Sequence, residues 1–301
     1  MIRIPCSSEQ LAASSKAHFQ AVCAYVKSKN QTYQRELFEA VTAVAPFSMD
    51  FEESVKADNW SWLEKFLLAD VDSLRKMTEN EAALQFDQFK KLYINRFSAG
   101  ADKYVDNATQ YNAYTFVKNL GITVCPYCDE EFLDILESEE KGTIRTSEID
   151  HYFPKSKYPA LAMCFYNLIP SGQNCNGIKL QQALGMNPFE PNIEACTSLH
   201  PDIPIGINME NVPVKNCTIH FHPQSGMMKN VDVLRLEERY ERHKPLARHY
   251  LLLKQQYPDE KIAEYVRLGV FPSAEDAYRI LYGVSSKDAI LQKLKRDLVG
   301  R

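Results

Sequence analysis

The sequence contains no run of about eighteen uncharged apolar residues, which excludes a membrane-spanning helix, and no membrane partner is expected. Its first nine residues, with Arg3 and Pro5 among them, lack the unbroken apolar core of a secretory signal, so the expectation is a cytoplasmic protein. There is no internal repeat and no low-complexity tract. Excess positive charge is missing too. The formal net charge is −4, so binding to nucleic acid would need a local basic face rather than a generally cationic surface. The eight cysteines are not expected to form a disulfide framework in so long a chain of the expected intracellular kind. Cys6, Cys23, Cys196 and Cys217 have no spacing partners and read as inert thiols. Cys125 and Cys128, by contrast, stand as Cys-x-x-Cys, which favours metal or redox use. With 45% hydrophobic and 25% charged residues, the chain can bury the core of one large or two modest domains.

Three stretches differ in character. Residues 1–120 are helical in pattern. Ala82, Phe86, Phe89, Tyr93 and Phe97 recur at helical spacing as one buried stripe, and Thr78 to Glu81 has the form of a capping box ahead of it. A second helical pattern runs from Asn107 to Asn119. Residues 121–192 are short segments punctuated by Pro and Gly. Residues 193–301 return to helical patterning from Val231, with Pro245 forcing a kink or a fresh start. Ser273 to Asp276 and Ser285 to Asp288 read as two further helix starts, with Gly283 as a stop between them. The expected fold class is mainly α with a small α+β insertion.

The middle stretch carries the chemistry. Phe132 to Leu136 and Thr143 to Ile149 are expected to pair as a hairpin ending at Asp150 and His151. An irregular loop would follow from Tyr152 to Pro170, and a short helix near Asn174 would carry Cys175, Asn176 and Lys179. Hairpin, loop and helix make a ββα unit, in which Asp150 and Asn176 would share one divalent ion beside His151.

Hydrolysis of a phosphodiester needs an activated water, charge neutralisation at phosphorus and help for the leaving oxygen. His151 suits the base, because a neutral imidazole accepts a proton at cellular pH. Asp150 and the amide oxygen of Asn176 are hard ligands, suited to Mg2+ or Mn2+. Lys179, one turn past Asn176, is placed to steady phosphate, and Lys155 and Lys157 flank the cleft for the nucleic-acid backbone. Asn167 is read as an amide that pins the loop. Taken singly, an Asp-His pair is more often a surface feature or a satisfied core histidine, and single lysines are more often solvated. Order and spacing together carry the nuclease reading.

The stretches Cys125-Pro-Tyr-Cys128, Asp150-His-Tyr-Phe-Pro-Lys-Ser-Lys-Tyr-Pro159, Asn167-Leu-Ile-Pro-Ser171, Cys175-Asn-Gly-Ile-Lys179 and Asn187-Pro-Phe189 resemble those of HNH endonucleases of the ββα-metal superfamily. They are most similar to the PtuB-like branch found in Septu-type anti-phage defence systems. The resemblance is dense over residues 121–192 and looser over Leu234 to His243. It implies His151 as base, Asp150 and Asn176 as ligands of the catalytic ion, a structural Zn2+ and a partner ATPase. In one respect the sequence departs from the family pattern. Gly172 stands where a second Cys-x-x-Cys pair would begin, leaving Cys125, Cys128 and Cys175 as three thiolates where a structural zinc takes four. Cys164 reads better as a buried core thiol than as the fourth ligand. His220 or His222, alternating in a strand pattern, could serve instead, and an empty site held by packing alone is the remaining option.

Three function classes follow: a metal-dependent DNA endonuclease acting in defence, a toxin or restriction nuclease acting on RNA or modified DNA, and a non-catalytic zinc-knuckle interaction module. The last has no use for Asp150, His151 and Asn176 in this order.

Overall fold

The computed structural model describes all residues except 5, 101, 141, 205, 285–288 and 301. The expected helix start at Ser285 therefore lies outside the described residues. The chain is mainly helical, with small antiparallel sheets. Among the described residues no helix is long and apolar enough to cross a membrane. The chain divides into two compact units. One comprises Ile4–Ile122 and Leu133–Ala183; the other comprises Met1–Arg3, Thr123–Phe132 and Leu184–Arg301. The three stretches expected from sequence character are cut differently, because the N-terminal helices and most of the middle stretch share one core.

In the first unit the helices are α1 (Ser8–Lys27), α2 (Gln31–Val44), α3 (Phe51–Lys56), α4 (Ser61–Leu67), α5 (Val71–Thr78), α6 (Gln88–Leu92) and α7 (Ala113–Leu120). Asx and Ser caps start most of them: Ser7, Asn30, Asp50, Asp70 and Asn112 each accept from a first-turn amide. Gly121, at φ 60°, ends α7, as its sequence position suggests. α1 and α7 pack together, and Gln10 and Ser14 both donate to the carbonyl of Asn119.

The long aromatic stripe does not form one helix. Thr78 closes α5 by donating to the carbonyl of Arg75, and Asn80 caps a 3-10 turn at Glu81–Leu84 instead. α6 follows and widens into a π-helical turn at Tyr93–Phe97. Phe89, Tyr93 and Phe97 are buried, whereas Ala82 is exposed. The helical pattern over Asn107 to Asn119 likewise shortens to α7, with Asn112 as its cap.

His18 organises this core. It is fully buried among the rings of Phe97, Tyr111, Phe116 and Phe165. Its Nε2 lies 2.7 Å from the carbonyl oxygen of Met163, which can only accept, so Nδ1 accepts from the Tyr111 hydroxyl at 3.1 Å. Burial holds the imidazole at about 4. The folded pKa is thus below the unfolded one, so the contribution is complete above pH 6.5 and is lost as pH falls towards 4. The loss should reach about 3 kcal/mol. Urea unfolding at pH 7 and pH 4.5 should show wild type losing more stability than His18→Gln by about that amount. Parallel losses in the two proteins would refute this role.

The strands of this unit are β1 (Ile135–Ser138), β2 (Gly142–Arg145), β3 (Glu148–His151) and β4 (Leu168–Ser171), followed by α8 (Gln173–Lys179). β1 and β2 form the expected hairpin, with Leu136 opposite Ile144, but it stops short of Asp150. Thr146 ties back to Asp134 through both its amide and its hydroxyl, and the guanidinium of Arg145 bonds the carbonyl of Ser147. The chain bends there, and β3 pairs antiparallel with β4, with Asp150 opposite Ile169 and His151 opposite Leu168. The second strand of the site is therefore Leu168–Ser171, which the sequence reading had placed in the irregular loop.

In the second unit, β5 (Thr197–Pro201) pairs with β6 (Ile219–Pro223), the strand expected around His220 and His222. The helices are α9 (Ser225–Val233), α10 (Leu236–Tyr240), α11 (Lys244–Gln256), α12 (Asp259–Arg267), α13 (Ala274–Tyr282) and α14 (Gln292–Val299). Pro245 lies in the first turn of α11, a fresh start rather than a kink. Ser273 caps α13 and Gly283, at φ 57°, ends it. The turn at Cys125 to Cys128 is closed by Cys125 donating to the carbonyl of Glu131. α10 and the turn after it brace this knuckle. Tyr240 donates to the carbonyl of Cys128 at 2.5 Å, and Arg239 and His243 reach Glu130 at 2.9 and 2.8 Å.

Candidate active site

Strand β3 brings Asp150 and His151 side by side, both almost fully buried. Such a position requires compensation, because a buried carboxylate or imidazole without partners is unfavourable. Lys179 on α8 meets part of that need. It is itself fully buried, and its Nζ donates to Asp150 Oδ1 at 3.1 Å and to the carbonyl of His151 at 2.8 Å. Lys179 therefore lies beneath the carboxylate rather than at a surface facing phosphate, as the sequence reading had it. The ammonium acts from below, fixing helix α8 to strand β3.

The loop between β3 and β4 is held by Asn167. Its Oδ1 accepts from the amide of Phe153 at 2.7 Å, and its Nδ2 donates to the carbonyls of Phe153 and Leu161 at 3.2 and 2.9 Å. Asn167 is thus a loop pin, as expected, and its side chain bonds to backbone. Its own carbonyl takes the amide of Tyr152. The folded loop returns a 3-10 turn, Pro159–Met163, to the imidazole.

That turn determines the protonation state of His151. The Nε2 atom lies 3.1 Å from the carbonyl oxygen of Ala162, which can only accept, so the neutral ring carries its hydrogen on Nε2 and its lone pair on Nδ1. Nδ1 is buried and has no hydrogen-bond partner. Burial, reinforced by the charges of Lys155 and Lys179, pushes the pKa well below the ordinary histidine value, and the Ala162 carbonyl opposes this only in part. The edge of the ring meets Tyr93 at a centroid distance of 4.4 Å, and the Tyr93 hydroxyl donates to the carbonyl of Ile149. The His151 ring is therefore neutral, oriented and unprotonated at Nδ1.

Asp150, His151, Asn176 and Lys155 line one cavity of about 290 Å3, together with Lys90 and Leu180. A carboxylate and an amide at a common cavity are a hard-oxygen donor set, which fits a divalent ion such as Mg2+ or Mn2+. Lys155 lies over the ring of Tyr93, with Nζ 5.2 Å from its centroid. Lys157 is elsewhere, engaged with Glu81 at 3.1 Å and with the ring of Tyr158, and does not line the cavity. No known family model, curated protein or solved structure matches the chain.

Lys90 and Tyr93 were not identified from sequence as site residues. The available signal was their spacing: Lys90 is three residues before Tyr93, so a helix that buries Tyr93 against β3 sets Lys90 on the same side. Glu148, at the start of β3, was also unforeseen as part of the lining.

Cys125 and Cys128, in one unit, and Cys175, in the other, are each fully buried. Thiolates of this kind are the ligands that suit a soft ion such as zinc. The thiol of Cys164 faces the carbonyl of Phe66, and burial pushes its pKa far up, as fits the core thiol expected. His220 lies 3.7 Å from Asp202, within its own unit. Gly172 occupies the N-cap position of α8 and has no side chain with which to complete the set.

Proposed function

We propose that this chain is a metal-dependent endonuclease of the HNH, ββα-metal type, cleaving DNA phosphodiester bonds in the cytoplasm as an effector of anti-phage defence. The observation that carries this reading is the buried Nδ1 of His151, without a partner, in a cavity that also presents Asp150 and Asn176. A buried imidazole kept neutral and left with an open lone pair is costly unless it has a proton to take. In this proposal β3, β4 and α8 would serve as the ββα elements, in place of the hairpin of Phe132 to Leu136 with Thr143 to Ile149 expected from the sequence.

The residues have distinct roles in hydrolysis. Asp150 and Asn176 would hold Mg2+ or Mn2+, which when bound supplies charge neutralisation at phosphorus and at the leaving oxygen. His151 Nδ1 takes the proton of the attacking water. The imidazolium so formed is stabilised at Nε2–H by the Ala162 carbonyl, which also keeps the ring from turning. Lys155, on the cavity wall, contributes a positive charge to the phosphate. Lys179 and Asn167 position: one holds Asp150, the other the loop that carries Ala162. A net charge of −4 fits modest DNA affinity for the chain alone, and a partner ATPase would supply the targeting.

The test is nicking of supercoiled plasmid in Mg2+ or Mn2+ and again in EDTA. Metal-dependent nicking supports the reading. Cleavage of RNA but not DNA would move the chain to the toxin class, and cleavage of neither would leave only a binding module.

The structural zinc is proposed at Cys125, Cys128 and Cys175. Purified protein should carry roughly one zinc per chain by atomic absorption, and Cys175→Ser should lose it and melt at a lower temperature. Equal zinc content in the two proteins would exclude Cys175 as a ligand.

A further inference from the structure

Helix α8 ends on a residue that is unusual in two respects. Leu180 is 70% exposed, more than any other large apolar side chain described. Its backbone stands at φ 50°, ψ −117°, a conformation glycine adopts freely and a branched side chain adopts only under strain. Its amide still donates to the carbonyl of Asn176 at 3.0 Å, so the position is fixed rather than frayed. The preceding residue is Lys179, anchored to Asp150 and to the His151 carbonyl. A single peptide link therefore ties this projecting leucine to the carboxylate of the site. Around the same cavity are the amines of Lys90 and Lys155 and the amide of Gln181.

We propose that Leu180 is a wedge that enters duplex DNA at the base step beside the scissile phosphate, with Lys155 on that phosphate and Lys90 on its neighbour. This rests on the nuclease reading and adds to it a substrate form and a source of specificity. Apolar side chains inserted between base pairs unstack a step and kink the duplex, and amines on neighbouring phosphates offset the cost. A protein partner is less suited to this rim, because Leu180 is followed by exposed Gln181 and Gln182 and preceded by buried Lys179, with no continuous apolar patch. Steps that unstack readily, the pyrimidine–purine steps, should be cut preferentially. The strained backbone keeps the leucine projecting where a relaxed helix end would let it fold back.

Permanganate, which oxidises unstacked thymines, reads the wedge directly. The proteins to compare are His151→Gln, which binds without cutting, and His151→Gln/Leu180→Ala, each on supercoiled plasmid with Mg2+. The first should expose thymines at the positions wild type cuts, and the second should lose most of that reactivity, about tenfold. In cleavage assays Leu180→Ala should cut a paired duplex about tenfold more slowly than wild type, yet recover on the same duplex carrying a mismatch at the cut step. Leu180→Gly should behave like the alanine variant in cleavage while melting higher than wild type, which separates the wedge from a folding role. Wild-type rates for Leu180→Ala on paired DNA, with unchanged permanganate reactivity, would overturn the wedge and leave the nuclease reading standing. Failure of wild type to cut any DNA would overturn both.

Discussion

Replacing His151 should reduce metal-dependent plasmid nicking by roughly 100- to 10,000-fold, the usual contribution of a positioned general base. His151→Ala should also weaken the fold. The ring is buried against Tyr93 and satisfies the Ala162 carbonyl, so removing it leaves a cavity and an unpaired acceptor. A loss of about 2–3 kcal/mol should accompany the alanine variant. His151→Gln is the cleaner test, because its amide can still donate to Ala162 while offering no basic nitrogen. Both variants should be inactive, and the glutamine variant should unfold nearer to wild type in urea. Nicking at wild-type rate by folded His151→Gln would remove His151 from the chemistry and the nuclease reading with it.

Asp150→Ala should be the most destabilising single change at the site, by about 3–5 kcal/mol, because it leaves the fully buried Lys179 ammonium without its carboxylate. Loss of an expected metal ligand would abolish cleavage as well, but stability is the discriminating measurement. In metal-free buffer the double variant Asp150→Ala/Lys179→Met should be more stable than Asp150→Ala alone, since the stranded charge has gone. If the two single effects simply add in urea unfolding, the pair is not coupled and Lys179 has some other function.

Part of this site is legible in the sequence because its residues are chemically distinctive and evenly punctuated. Asp150-His151 at a strand end and Cys175-Asn176-x-x-Lys179 on a short helix are both where the pattern puts them. The strand opposite Asp150 was missed because Leu168-Ile169-Pro170-Ser171 contains a proline, which reads as a breaker. In the fold Pro170 is tolerated opposite Ile149 on a two-stranded edge, where its lack of an N–H matters least. Periodicity assigned Phe89, Tyr93 and Phe97 to the core correctly, yet said nothing of the break at Thr78, which depends on a hydroxyl turning back onto its own helix. Burial of Lys179 was not readable either. A lysine is ordinarily solvated, and only the approach of α8 to β3 shows what it serves. His18 was likewise hidden, since its partners Tyr111 and Met163 lie 93 and 145 residues away in the chain.

The turn at Pro159–Met163 is gripped by two imidazoles on consecutive carbonyls: His151 holds Ala162, and His18, from the first helix of the chain, holds Met163. The orientation of the His151 ring is therefore set jointly by its own hairpin and by a helix that precedes it by more than a hundred residues. A fragment trimmed to the motif-bearing stretch would keep every residue of the chemistry and lose one of the two clamps on the turn that aims it. The helical N-terminal region is thus part of the support of His151, and that support begins with α1, well ahead of the first motif residue.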